Sequence, residues 1–247
     1  MLQEKKIYGL IGKNISYSFS KIYFNKKFIK TDLKNHFYNN FDLTNIKDFK
    51  KIVEKYNIKG LNITIPYKEK IIPLLDSISI EAKEIGAVNT IKIDSNKKLI
   101  GCNTDYIGFT NSIKPLLNSK HKKAIILGSG GASKAIIYSL NKFNISSLIV
   151  SRNKQKGDIT YQELNSQKIR ECQIIINCSP VGTYPNINDS PKIPYEYINE
   201  NHICYDLIYN PDETKFLLKS KKRNALTING TKMLELQAEE SWRIWNS

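Results

Sequence analysis

A glycine-rich loop in the middle of the 247-residue chain has the composition of a phosphate-binding turn. The strand-like run Lys123-Ala124-Ile125-Ile126-Leu127 leads into Gly128-Ser129-Gly130-Gly131-Ala132, and a helical pattern follows from Ser133 to Phe143. Glycines after a buried strand allow a tight turn and let backbone N–H groups of the next helix approach a pyrophosphate. Ser133 stands where a third glycine is usual, so the loop by itself is weak evidence for a dinucleotide site.

The residues after the next strand indicate which dinucleotide would bind. Leu148-Ile149-Val150-Ser151 runs into Arg152-Asn153-Lys154-Gln155-Lys156, and no acidic residue follows until Asp158. An acidic residue at this position binds the ribose hydroxyls of NAD, whereas an arginine accommodates the 2′-phosphate of NADP. The arginine could also be an ordinary solvated side chain. With the glycine loop, the pattern predicts NADP(H), contacted by Ser151, Arg152, Asn153 and Lys156.

Further motifs outside the glycine loop give the chain a specific resemblance. They are Gly12–Ser20, Gly60–Lys68, Gly86–Thr90, Gly101–Gly108, Asn177–Gly182, Asp206–Pro211 and Asn229–Ala238. In this order, and with the loop at Gly128, they resemble the shikimate dehydrogenase family over nearly the whole chain. Members of that family reduce 3-dehydroshikimate with NADPH on the way to chorismate.

The resemblance implies a catalytic pair. Reducing a ketone with a hydride requires a proton donor at the carbonyl oxygen, and a lysine beside a carboxylate can supply it. Lys68 and Asp105 match the family's lysine and aspartate, with Asp105 orienting the lysine. The alternatives are a surface lysine for Lys68 and a helix N-cap for Asp105, and the second is compatible with catalysis.

The resemblance also implies substrate and nicotinamide contacts. Ser18 and Ser20 match the hydroxyls that bind the substrate carboxylate, and Ser20 could equally be an N-cap. The other residues matching substrate contacts are Asn62, Thr64, Asn89, Tyr209 and Gln237, of which Tyr209 and Gln237 could instead be packing residues. Gly230 matches a glycine beside the nicotinamide.

Two departures from the family pattern stand out. Asn14, Tyr17 and Lys21 replace the usual Pro, His and Pro beside the carboxylate-binding serines, which predicts a looser loop or altered substrate affinity. The segment 153–172 is short, so a full helix and a third strand do not fit there. We therefore expect a trimmed adenine side of the cofactor domain.

Alternating strand and helix patterns must position these residues, and they predict an α/β fold. Strands are predicted at 7–12, 37–41, 60–65, 88–94 and 98–102, with helices at 20–29, 48–56, 68–75 and 79–85. Beyond these, strands are predicted at 123–127, 147–151, 173–178, 202–206 and 225–228, with helices at 106–117, 133–143, 214–221 and 231–245. We expect a substrate domain (1–104 plus 230–247), a Rossmann-like NADP-binding domain (105–229), and a cleft between them.

Composition leaves fewer alternatives. The net charge of +15 could indicate a nucleic-acid-binding protein, but the basic runs are short and no aromatic ladder accompanies them. The four cysteines show no metal-ligand spacing, which predicts reduced thiols and no metal site.

With no signal or membrane segment, we expect a cytoplasmic monomer or homodimer that binds no membrane or nucleic acid. A quinate/shikimate dehydrogenase that uses NAD or both cofactors is the nearest alternative. A regulator without turnover is disfavoured by the Lys68 and Asp105 matches.

Overall fold

The computed structural model describes residues 4–15 and 18–247 and divides into two compact units. The first unit contains the chain up to residue 104 together with 238–247, and the second contains 105–237. The division predicted from the sequence places residues 230–237 in the first domain, whereas in the structure these residues belong to the second unit.

The first unit is built on a six-stranded mixed sheet. Its strands are β1 (Lys6–Gly12), β2 (His36–Asp42), β3 (Ile58–Ile63), β4 (Ser77–Ile78), β5 (Thr90–Ile93) and β6 (Leu99–Cys102), in the spatial order β2-β1-β3-β5-β6-β4. β1 runs parallel to β2 and β3, whereas β5 is antiparallel to β3 and β6. The predicted hairpin is therefore confirmed, and the Asp94 carboxylate holds its turn by accepting from the backbone N–H groups of Asn96 and Lys98, both at 2.9 Å.

Three helices accompany this sheet: α1 (Phe19–Lys30), α2 (Phe49–Lys55) and α3 (Ile80–Ile85). The prediction of a helix at 68–75 is wrong, because this segment consists of turns and a short 3₁₀ helix at Ile72–Leu74. Pro73 lies in the middle of it, and proline lacks the N–H that an α-helix interior requires.

Both faces of the first sheet are covered by apolar side chains. Along β1, Tyr8 and Leu10 belong to one buried cluster and Ile11 to another, as the two-residue period of a strand dictates. The cluster containing Tyr8 also includes Phe24 and the C-terminal Trp245. The end of α8 is therefore part of the core of the first unit.

The second unit contains a five-stranded parallel sheet. Its strands are β7 (Lys123–Leu127), β8 (Ser146–Val150), β9 (Ile174–Asn177), β10 (Ile203–Asp206) and β11 (Leu226–Ile228), in the order β11-β10-β9-β7-β8. The remaining helices are α4 (Asp105–Ile113), α5 (Gly131–Lys142), α6 (Ser166–Glu171), α7 (Lys215–Lys221) and α8 (Thr231–Trp245). The unit boundary falls within α8.

This strand order is that of a Rossmann fold with one position missing. In the usual order 3-2-1-4-5-6, the strands β8-β7-β9-β10-β11 fill positions 2-1-4-5-6. Between β8 and β9 the chain forms a 3₁₀ turn at Lys154–Lys156, a single bridge from Val150 to Ile159, and the short α6. The expectation of a missing third strand is thus confirmed.

Three further findings bear on the expectations from sequence. The helix predicted at 106–117 ends at Ile113, and a 3₁₀ turn containing Pro115 follows. All four cysteines are free thiols. Across residues 4–15 and 18–247, no helix combines the length and hydrophobicity that crossing a membrane would require.

Candidate active site

A group of buried polar side chains lies inside the first unit. Asn62 belongs to β3, Asn89 and Thr90 stand at the start of β5, Thr104 follows β6, and Ser241 lies on α8. Each is at most 4% exposed. Buried polar groups must be hydrogen-bonded to be tolerated, so their partners determine what each side chain can do.

The amide of Asn62 is held from both ends. Its Oδ1 accepts a hydrogen bond from the Tyr38 hydroxyl at 2.8 Å, and its Nδ2 donates to Ser241 Oγ at 2.9 Å. Burial raises the pKa of Tyr38, so the phenol stays protonated and donates to the amide. The Ser20 side chain partly opposes this rise in the pKa of Tyr38.

The amide of Asn89 is fixed by a backbone donor. Thr104 N donates to Asn89 Oδ1 at 2.6 Å, and Asn89 Nδ2 donates to Thr104 Oγ1 at 3.0 Å. Because a backbone N–H can only donate, this contact determines which end of the amide is the oxygen. Asn89 is a predicted substrate contact, and sequence reasoning gave no role to Thr104.

The predicted carboxylate-binding serines lie at the start of α1. Ser18 is the N-cap, and its Oγ accepts from Lys21 N at 3.3 Å. Ser18 and Ser20 are both buried. The first turn of α1 contains no acidic residue, so its N-terminus favours an anion, which agrees with a carboxylate at this position.

The loop before α1 is anchored by an acidic residue. Asn14 has a left-handed backbone with φ of 58°, and the backbone N–H groups of Asn14 and Ile15 both donate to the Asp42 carboxylate at 3.0 Å. Tyr17, another departure from the family pattern, lies outside the described residues. The expectation of a looser loop stays a prediction.

The candidate catalytic lysine follows β3 in a well-ordered turn. Lys68 is half-buried, and its carbonyl oxygen accepts from Val88 N at 2.8 Å. The neighbouring Tyr67 hydroxyl donates to the Leu43 carbonyl at 2.6 Å. Thr64, also half-buried, donates its backbone N–H to the Ile11 carbonyl at 2.9 Å. Lys68 is therefore not an ordinary exposed surface lysine.

The second unit holds the candidate carboxylate. Asp105 is buried and is the first residue of α4, at the positive N-terminal end of the helix. One turn later, a Cβ on Gly108 would lie 2.5 Å from the Met233 carbonyl oxygen and 3.0 Å from Gln237 Cβ. Glycine thus lets α4 approach α8 closely and brings Gln237 beside the turn that follows Asp105. Since Lys68 belongs to the first unit, its pairing with Asp105 stays a prediction.

The segment after β10 carries the remaining predicted residues. Tyr209 is half-buried, and a Cβ on Gly230 would lie 2.1 Å from the Leu207 carbonyl oxygen. The close approach of Leu207 is thus one reason for glycine at 230, besides the predicted contact with nicotinamide. Asp206, to which sequence reasoning assigned no role, is fully buried and accepts from the Thr214 hydroxyl at 2.6 Å.

The glycine loop leaves open space at the start of α5. Gly128 has φ of 116°, which favours glycine, and a Cβ built on Gly130 would meet no atom within 4 Å. No side chain caps α5, which begins at Gly131-Ala132, so its first N–H groups suit an anion. Ser133 Oγ donates to the Gly130 carbonyl at 2.6 Å. The serine that replaces the third glycine therefore supports the loop instead of obstructing it.

The end of β8 fits a phosphorylated ribose. The Ser129 and Ser151 hydroxyls lie 3.1 Å apart and join the glycine loop to the strand end, where Arg152, Asn153 and Lys156 are exposed. The nearest acid, Asp158, accepts a hydrogen bond from Ile149 N at 2.8 Å. The strand end is therefore basic, and the first acidic residue after it is already bound to the backbone. This arrangement fits NADP(H) better than NAD(H).

Known proteins with related sequences and structures bear on this site. The family described as the shikimate dehydrogenase substrate-binding domain matches residues 10–91. Shikimate dehydrogenase (NADP(+)) from Clostridium botulinum is 42% identical over 248 residues, which cover 96% of this chain and 95% of that protein. The crystal structure of shikimate dehydrogenase from Aquifex aeolicus has a TM-score of 0.87 and 38% identity, covering 98% of this chain and 92% of that one. The structure of a shikimate dehydrogenase in complex with NADP+ has a TM-score of 0.81 and 35% identity, covering 98% of this chain and 90% of that one.

Proposed function

The chain belongs to the shikimate dehydrogenase family, and we propose that it catalyses the reversible reduction of 3-dehydroshikimate to shikimate with NADPH. The observation that carries this proposal is 42% identity to an NADP-dependent shikimate dehydrogenase across 96% of the chain. The product is a precursor of chorismate and the aromatic amino acids, which gives the enzyme a biosynthetic role. Quinate as the main substrate is not favoured, because the relatives described above are shikimate dehydrogenases.

Lys68 is the acid and base of the proposed reaction. NADPH, when bound, supplies the hydride that adds to the carbonyl carbon of the substrate. The Lys68 ammonium gives a proton to the carbonyl oxygen during reduction, and the neutral amine takes it back during oxidation. Asp105 orients the ammonium, and solvent restores the proton after each turnover.

Polar side chains of both units are proposed to hold the substrate. Ser18 and Ser20, beside the N-terminus of α1, bind the carboxylate. Asn62, Thr64, Asn89, Tyr209 and Gln237 contact the rest of the molecule. Amide and hydroxyl groups suit this task because each can donate to or accept from a ring hydroxyl.

The second unit is proposed to bind NADP(H) along the C-terminal edge of its sheet. The N-terminus of α5, with Gly128-Ser129-Gly130-Gly131-Ala132, binds the pyrophosphate. Ser151, Arg152, Asn153 and Lys156 bind the adenosine 2′-phosphate, and Arg152 offers a donor fork that matches phosphate. Gly230 leaves room for the nicotinamide.

A two-by-two kinetic comparison tests the proposal. The purified protein is assayed for oxidation of shikimate and of quinate, each with NADP+ and with NAD+. We expect kcat/KM to be highest for shikimate with NADP+. No turnover of shikimate with either cofactor would refute the function, and preference for quinate or NAD+ would reassign the substrate or the cofactor.

A further inference from the structure

Three hydroxyl groups form a closed triangle inside the first unit. Ser241 Oγ lies 2.8 Å from Thr90 Oγ1 and 3.1 Å from Thr104 Oγ1, and the two threonine oxygens are 3.2 Å apart. All three residues are fully buried. Ser241 comes from the C-terminal helix α8, far along the chain from the two threonines.

The asparagine amides on either side favour one direction for the hydrogen bonds, because Thr90 Oγ1 lies closer to Asn89 Oδ1 than Thr104 Oγ1 does, at 3.1 Å against 3.3 Å. Thr104 N makes Oδ1 the accepting end of Asn89, and Thr90 Oγ1 donates to that oxygen at 3.1 Å. Asn89 Nδ2 donates to Thr104 Oγ1 at 3.0 Å. A hydroxyl has one hydrogen, so Thr90, having donated to Asn89, must accept from Ser241.

These directions close a ring of hydrogen bonds. It runs from Asn89 Nδ2 to Thr104, then to Ser241, then to Thr90, and back to Asn89 Oδ1, with each hydroxyl hydrogen used once. Ser241 Oγ accepts in addition from Asn62 Nδ2 at 2.9 Å. Hydrogen bonds in such chains polarise and strengthen one another.

We propose that Ser241 is a positioning residue for substrate recognition, because it closes this ring and thereby fixes the amides of Asn89 and Asn62. The proposal rests on the proposed function, in which both asparagines contact the substrate. Without the Ser241 hydroxyl, Asn62 Nδ2 and Thr104 lose an acceptor and Thr90 loses a donor. Thr104 N still sets the direction of the Asn89 amide, but the hydroxyls that Asn89 contacts lose the partner that holds them, so the position of the amide relative to a substrate hydroxyl changes.

The test compares two buried helical serines. Ser220 on α7 is also fully buried, but its hydroxyl donates to the Phe216 carbonyl of its own helix at 2.8 Å. We expect Ser241→Ala to raise the KM for shikimate about ten-fold while changing the KM for NADP+ by less than about two-fold. Ser220→Ala should change neither constant.

The wild-type protein separates the two possible failures. If it does not oxidise shikimate with NADP+, the proposed function fails. If it does, but Ser241→Ala leaves the KM for shikimate unchanged or raises both KM values equally, the positioning role is overturned.

A second position keeps the proposal testable if Ser241→Ala does not fold. Thr90→Val removes the Thr90 hydroxyl from the ring of hydrogen bonds at nearly constant volume, whereas Thr90→Ser retains that hydroxyl. We expect the valine variant to raise the KM for shikimate and the serine variant to restore it. Where both single variants fold, the double variant Ser241→Ala/Thr90→Val should have about the KM of one single variant, since either change opens the same ring. KM increases that multiply, or equal KM values for Thr90→Val and Thr90→Ser, would overturn the proposal.

Discussion

The indole ring of Trp245 occupies the space beside Gly60 that any other residue would fill with its side chain. A Cβ on Gly60 would lie 2.2 Å from Trp245 Cδ1. The indole Nε1 donates to the Ile91 carbonyl at 3.1 Å, so Trp245 contacts the neighbouring strands β3 and β5.

Gly60→Ala is expected to destabilise the first unit. The added methyl group must displace the indole, and overpacking of this kind costs about 1–3 kcal/mol. Urea unfolding followed by tryptophan fluorescence measures the effect, with Trp245 itself as one of the probes. A midpoint equal to that of the wild type would contradict the packing described here.

Gly130→Ala is expected to weaken cofactor binding without loss of stability. The new methyl group meets no protein atom within 4 Å, but it projects into the space assigned to the pyrophosphate. We expect the Kd for NADP+ to rise at least about ten-fold. Titration calorimetry measures the affinity and thermal unfolding the stability. Unchanged affinity would place the cofactor elsewhere.

Lys68→Ala is expected to remove the proton donor. The value of kcat for shikimate oxidation should fall about 10²–10⁴-fold with little change in thermal stability. Lys70→Ala, a change at an exposed lysine two residues away, is the matched control and should leave kcat unchanged. Near-normal turnover of the Lys68 variant would refute its assignment.

Arg152→Ser is expected to reduce the preference for NADP+. Losing the guanidinium contact with the 2′-phosphate should raise the KM for NADP+ about 10–100-fold and leave the KM for NAD+ nearly unchanged. Arg223→Ser removes another exposed arginine from the same unit and serves as the control. If the KM values for both cofactors rise together, Arg152 does not read the 2′-phosphate.

Asp206→Asn is expected to change how stability depends on pH. Burial raises the pKa of Asp206 from 3.8 to about 6, so the folded protein holds this proton more tightly than the unfolded chain does. The contribution of Asp206 to the free energy of unfolding therefore falls by up to about 3 kcal/mol as pH rises from about 4 to 6. Above about pH 6 this contribution is constant.

Urea unfolding of the wild type and the variant at several pH values checks this. The difference between the two free energies should vary between pH 4 and 6 and then level off. Hydrogen bonds from Thr160 and Lys154 lower the pKa of Glu163 from 4.5 to about 2, so its opposite contribution is lost as pH falls from about 4.5 to 2. Glu163 is present in both proteins, so this contribution cancels in the difference. Parallel curves across the window would contradict the raised pKa of Asp206.

Local patterns in the sequence were sufficient to predict most elements of the fold. The glycine loop, the parallel strands of the second unit and the absence of a third strand follow from runs of neighbouring residues. The errors arose where a local signal was ambiguous. Pro73 interrupts a stretch with helical composition, and the two-residue strand β4 is too short to leave a periodic pattern.

What the sequence determined by itself is the family, through the order and spacing of motifs that include those carrying Lys68 and Asp105. Only the tertiary structure revealed the ring through Ser241, because its members lie between 89 and 241 and share no pattern. It likewise revealed why Ser133 can replace a glycine. The hydrogen-bonding role of a buried polar side chain depends on which groups the fold brings within 3 Å, and those partners are not its neighbours in sequence.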